Sequence, residues 1–164
     1  MDYFSGVGSE GLIELKNKFK GLIERVKTLK DQDGHSERDN ESLVESFYEL
    51  LGYKRNNQIR FRTGHVDVLI QSEGEPKIVN EVKRRWGLHR GEKNVLRQAF
   101  GYASINAAPL VVITNGDYYA LYNQEREGLG VEAKFEGEFY LSDLKEQDIK
   151  IIEILKKFSD TEEP

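Results

Sequence analysis

No cysteine occurs among the 164 residues, so the chain has neither a disulfide framework nor a thiolate metal site. Any bound metal must be held by oxygen or imidazole, which favours magnesium or manganese. No apolar run approaches the roughly 18 to 20 residues that a membrane span requires. The opening decapeptide MDYFSGVGSE lacks the basic and apolar regions of a signal peptide. These absences predict a soluble, cytoplasmic protein without a membrane partner. Internal repeats and low-complexity segments are missing too, and the length suits one domain that buries its core without staples.

An excess of positive charge is also lacking: the net charge is -5, which argues against a generic polyanion binder. The distribution says more than the total. Between residues 83 and 97, Lys83, Arg84, Arg85, Arg90, Lys93 and Arg97 face Glu92 alone, six cations against one anion. A solvated helix entry is the plain explanation of such a run; phosphate binding is the sharper one.

Leu12, Leu15, Phe19, Leu22, Val26 and Leu29 recur at spacings of three and four, predicting an amphipathic helix over 9–30 that packs on the domain rather than forming a free coiled coil. A second helix starts at the Ser36 cap and runs to Leu51, with Gly52 as its C-cap. Then come strands in QIRFRTG, HVDVLIQ and KIVNEVK, a loop WGLHRGEK, a helix over 92–106, and the strands LVVIT and YYALYN joined by NGD. VEAKF and EFYL are read as an edge pair, and a last helix spans about 143–158. The predicted class is α/β or α+β: a central mixed sheet flanked by helices, one domain over 1–164 with its core at about 36–144.

Charge interrupts two of these strands. Asp67 lies within HVDVLI, and Glu81 and Lys83 lie within VNEVKRR. A buried ionised carboxylate is costly without a partner or a metal. Two strands joined by the short turn SEGEPK pair as a hairpin, so Asp67 approaches Glu81 and Lys83 on one face. Taken separately, Asp67 reads as an edge-strand acid and Glu81 with Lys83 as a surface ion pair. Taken together, two carboxylates that hold Mg²⁺ beside a lysine describe phosphodiester hydrolysis, with Lys83 at the attacking water and the scissile phosphate.

A third carboxylate is expected from the preceding helix. Leu43, Val44, Phe47, Leu50 and Leu51 define its buried face, and Glu37 lies nearer that face than Glu41 or Glu45. Glu37 is therefore the first candidate and Glu41 the second, against ordinary capping and dipole chemistry for an acid after Ser36. Gln98 and Tyr102 are spaced i, i+4 and lie together beside the apolar stripe of their helix. His65 and His89 are read as structural, outside the metal shell. Trp86, Tyr118, Tyr119 and Tyr122 are read as packing residues, with base stacking as the alternative.

In this order, GHVDVLI, NEVK and QAFGY resemble the D, E-x-K and Q-xxx-Y elements of the PD-(D/E)XK nuclease superfamily. With ESLVESFYELLGY and VVITNGDYYALY added, the chain is similar from about Ser36 to Leu144 to the N-terminal nuclease domain of type I restriction enzyme motor subunits and to predicted type IV restriction endonucleases. The resemblance implies a restriction-endonuclease-like core with Asp67, Glu81 and Glu37 as ligands of Mg²⁺, which Mn²⁺ replaces. It implies Lys83 as the catalytic lysine, and Gln98 and Tyr102 lining the site. Val66 stands where the superfamily usually has proline, and no motor or specificity region is present. The function implied is a metal-dependent DNA endonuclease of restriction or defence, with DNA as partner through Lys83, Arg84, Arg85, Arg90, Lys93, Arg97 and Tyr102. A homodimer or other restriction-system subunits are the expected protein partners. The alternatives are an inactive DNA- or partner-binding module on the same fold, or a repair nuclease acting on branched DNA.

Overall fold

The computed structural model describes residues 9–159; the segment read for targeting signals lies outside these up to residue 8. Helices α1 (Ser9–Lys18), α2 (Lys20–Lys30) and α3 (Glu37–Leu50) come first. Strands β1 (Ile59–Thr63), β2 (Val66–Ser72) and β3 (Glu75–Val82) follow, then α4 (Lys93–Asn106), β4 (Leu110–Thr114), β5 (Tyr118–Asn123), β6 (Phe135–Tyr140) and α5 (Ile149–Lys156). The strands form one mixed sheet in sequence order. Every neighbouring pair is antiparallel except β3 and β4, which run parallel. A parallel pair needs a crossover, and α4 supplies it.

Two apolar layers enclose the sheet, making an α+β fold. On one face Leu15, Phe19, Leu22, Val26, Leu43, Phe47, Ile152 and Leu155 pack onto Val68, Ile70, Ile78 and Val112. On the other, Val95, Leu96, Ala99 and Ala103 of α4 cover Leu69, Val79, Val111 and Ile113. Successive strand residues enter opposite layers, as the period of two requires. β4 is buried at every position, which is why it reads as a continuous apolar run.

Three boundaries differ from those the sequence suggests. The helix over 9–30 is interrupted at Phe19 (φ -98°, ψ 6°), where the fully buried ring stacks on Phe47 at 5.3 Å. Burying that aromatic overrides an unbroken helix. The helix over 143–158 shortens to α5, because Asp117 accepts from Ser142 N–H (2.8 Å) and Asp148 accepts from Lys145 N–H (2.8 Å). These local bonds hold residues 141–148 in short 3-10 turns. The expected edge pair is a single strand: β6 pairs with β5, while Glu132–Lys134 winds as a 3-10 turn.

The β4–β5 turn orients α3. Asn115 Oδ1 accepts from the N–H groups of Asp117 (2.9 Å) and Tyr118 (2.8 Å), an Asx turn. Gly116 has φ +95°, and a Cβ there would lie 2.9 Å from the Leu43 side chain, so only glycine lets helix and turn approach this closely. Asn40 Nδ2 donates to Asn115 O at 2.7 Å. The first half of α3 is thereby fixed over the end of the sheet where β2 begins and the parallel strands β3 and β4 finish.

Candidate active site

Ligands of open α/β sheets gather outside the carboxyl ends of parallel strands, and the charged strand residues lie at that end here. The register pairs Val68 with Asn80, so one step further along both strands puts Asp67 level with Glu81. On the other side Phe61 pairs with Val68 and Thr63 with Val66, which puts Arg62 level with Asp67. Arg62, Asp67 and Glu81 thus form a row across three strands.

Asp67 is half-buried, and its Oδ2 accepts the Val82 N–H at 2.9 Å. Burial pushes its pKa up, opposed by that bond and by the charges of Lys83 and Arg62. Glu81 is buried, with Oε2 3.1 Å from Lys83 Nζ and Oε1 without a hydrogen-bond partner among the described residues. Burial first, and then the Asp67 carboxylate, push its pKa up to about 7 despite Lys83. Lys83 is fixed through its backbone, whose N–H donates to Thr114 O at 2.9 Å.

From α3, Glu37 and Glu41 reach the same place: one carboxylate oxygen each from Glu37, Glu41 and Asp67 lie within 4.8 Å of one another. Both candidate helix acids are present, but their ranking by burial is the reverse of the expectation. Glu41 is 1% exposed, whereas Glu37 is half-buried. The apolar stripe of the second half of α3 misplaces the buried face of its first half, where Asn40 and Glu41 turn toward the β4–β5 turn and β1. Burial raises the pKa of Glu41, Arg62 opposes the rise, and Asp67 and Glu37 add to it. Arg62 Nη2 lies 2.9 Å from Glu41 Oε2 and 3.2 Å from Oε1. Nothing in the residue pattern singles Arg62 out beyond its position before the Thr63-Gly64 bend.

Gln98 and Tyr102 are joined by a 3.2 Å hydrogen bond from Gln98 Nε2 to the Tyr102 hydroxyl. The Tyr102 ring stacks on His65 at 5.6 Å, two residues before Asp67, so α4 presents both side chains at the same sheet end. The basic segment is less free than a count of charges suggests. Arg85 pairs with Glu92, and Arg90 reaches Glu132 and Glu138 at 3.6 and 3.7 Å. Arg84, Lys93 and Arg97 are exposed and make no ion pair among the described residues. His89 contacts Glu92, and Trp86 stacks on His35 at 5.0 Å. Tyr118, Tyr119 and Tyr122 are core residues.

The donor set fits a hard divalent cation. All candidate ligands are carboxylate oxygens, and one of them, Glu81 Oε1, is buried without a partner, which is expensive unless something positive meets it. Four carboxylates face two close cations, Arg62 and Lys83, with a smaller contribution from exposed Arg38. A 2+ ion would restore balance at the four acids. No protein-family model, curated protein or solved structure matches this chain.

Proposed function

We propose that this protein is a metal-dependent DNA endonuclease that hydrolyses phosphodiester bonds, acting in restriction or defence against foreign DNA. The observation that carries the reading is the partnerless buried oxygen of Glu81, on the strand that also provides Lys83 and level with an acid cluster from two other elements. A merely structural ion pair would not need three further carboxylates around it. Asp67, Glu81, Glu37 and Glu41 would hold Mg²⁺ or Mn²⁺. When bound, the metal supplies Lewis-acid charge and a water of lowered pKa.

The chain's own residues do the rest. Val82 N–H fixes Asp67 through one oxygen and leaves the other as a ligand. Lys83, 3.1 Å from Glu81 Oε2, sets positive charge where the pentavalent phosphorus gathers negative charge and orients the attacking water. Gln98 and Tyr102 line the DNA side of the site, while Arg84, Lys93 and Arg97 offer phosphate contacts beyond it.

The test is incubation of supercoiled plasmid with Mg²⁺ or Mn²⁺, comparing wild type with Asp67→Ala and Lys83→Ala. Nicking that needs metal and vanishes in both variants is expected. Absence of nicking, or nicking undiminished in both variants, would sink the reading. Tight, steeply salt-dependent DNA binding without nicking would point to a binding module instead.

A further inference from the structure

Arg62 is not among the carboxylates and lysine that define the site, yet its backbone and side chain are both committed to it. Its φ is 49°, a left-handed conformation that strains a non-glycine residue and persists only where neighbouring contacts fix it. The contact here is Glu41: Nη2 donates to both oxygens of a carboxylate that is 1% exposed. A guanidinium carries five N–H donors. Nη2 holds two of them against Glu41, while the side chain as a whole is 55% exposed. The fork therefore spans from a buried acid of the cluster to solvent at the mouth of the site, level with Asp67 in the sheet.

We propose, building on the nuclease reading, that Arg62 is a further catalytic residue: Nη2 holds Glu41, and Nη1 contacts a non-bridging oxygen of the scissile phosphate. A planar guanidinium can hold a carboxylate through one nitrogen and aim a second, in a fixed orientation, at a phosphate oxygen, which an ammonium does not. In the hydrolysis a water oxygen bonds to phosphorus and one P–O ester bond breaks. The attacking water loses its proton to solvent, the departing oxygen takes one up from solvent, and Arg62 remains charged throughout. Its contribution is fixed positive charge on the phosphoryl oxygens, placed without reorganisation by the contact to Glu41.

The experiment compares wild type with Arg62→Lys and Arg62→Gly. Lysine keeps the charge but not the fork, and glycine accepts the positive φ. Plasmid cleavage gives kcat and KM, electron paramagnetic resonance gives Mn²⁺ affinity, and thermal unfolding checks the fold. For Arg62→Lys a fall in kcat of about 100-fold is expected, with KM and Mn²⁺ affinity changed by about threefold or less. Arg62→Gly should unfold cooperatively and be at least as impaired. An Arg62→Lys enzyme that cleaves like wild type overturns the proposal. So does a loss of Mn²⁺ affinity in step with kcat, which would reduce Arg62 to a support for Glu41. Wild type that binds Mn²⁺ through Asp67 but cuts no DNA would overturn the nuclease reading itself, a result distinct from either.

Discussion

Replacing Glu81 by glutamine should make the protein more stable at pH 8 while removing a carboxylate from the site. The reason is burial: Glu81 is 4% exposed, and its pKa is pushed from an ordinary 4.5 up to about 7, by desolvation first and the Asp67 carboxylate second. Between these two values the folded protein holds a proton that the unfolded chain has released. Stability then falls as pH rises, because its slope follows protons bound by the unfolded minus the folded state. The penalty is absent below about pH 4.5 and complete above about pH 7. At 1.36 kcal/mol per pH unit the full effect is about 3 kcal/mol. Glutamine carries no such penalty and can still accept from Lys83. Urea unfolding of wild type and Glu81→Gln from pH 5 to pH 8, without divalent cations, should give curves that separate by about 1–3 kcal/mol toward high pH. Asp67 and Glu41 are also shifted upward by burial, so wild type alone cannot isolate Glu81 and the difference between the curves is the diagnostic quantity. Parallel curves would refute the reasoning.

Two further outcomes concern the scaffold. Tyr48→Phe should cost about 1–3 kcal/mol in urea unfolding, because the Tyr48 hydroxyl donates to buried Asn80 Oδ1 at 2.6 Å and phenylalanine leaves that acceptor unpaired. Gly116→Ala should lower the melting temperature and also weaken Mn²⁺ binding. Alanine is strained at φ +95° and its Cβ meets Leu43 at 2.9 Å, which pushes Glu37 and Glu41 away from Asp67. Unchanged Mn²⁺ affinity in a destabilised Gly116→Ala would show that the turn holds the fold without setting the cluster.

The parts of this fold that the sequence made legible are those governed by periodicity. A period of two with a short turn put Asp67 and Glu81 on adjacent antiparallel strands, and the register makes them level. A continuous apolar run marked β4 as central. What was hidden depended on contacts between distant segments. Glu41 lies off the apolar stripe of its own helix, yet it is buried and held by Arg62 from β1. Arg62 looks like a solvent-facing member of an alternating strand, since nothing in a non-glycine residue announces a positive φ. The pairing of Arg90 with Glu132 and Glu138 spans more than forty residues, so a count of local charge cannot see it. The shortened α5 had a similar cause, since Asp117 bonds Ser142 across the sheet end.

The contacts around the first half of α3 share one location and one consequence. Asn40 ties α3 to the β4–β5 turn, Gly116 lets that turn approach the helix, and Arg62 and the Val82 N–H bond site carboxylates; none of them contributes an acid itself. A cluster of four carboxylates repels itself, so its members would turn outward to solvent unless held. The fold prevents this with short-range restraints: a backbone N–H on Asp67, a guanidinium on Glu41, an ammonium on Glu81 and a glycine turn beneath α3. Each restrains position while leaving at least one oxygen of the cluster, Glu81 Oε1, without a partner. Restraint without full neutralisation is wasteful for stability and useful for binding a cation, because the cost of bringing the ligands together is met in folding and need not be met again when an ion arrives.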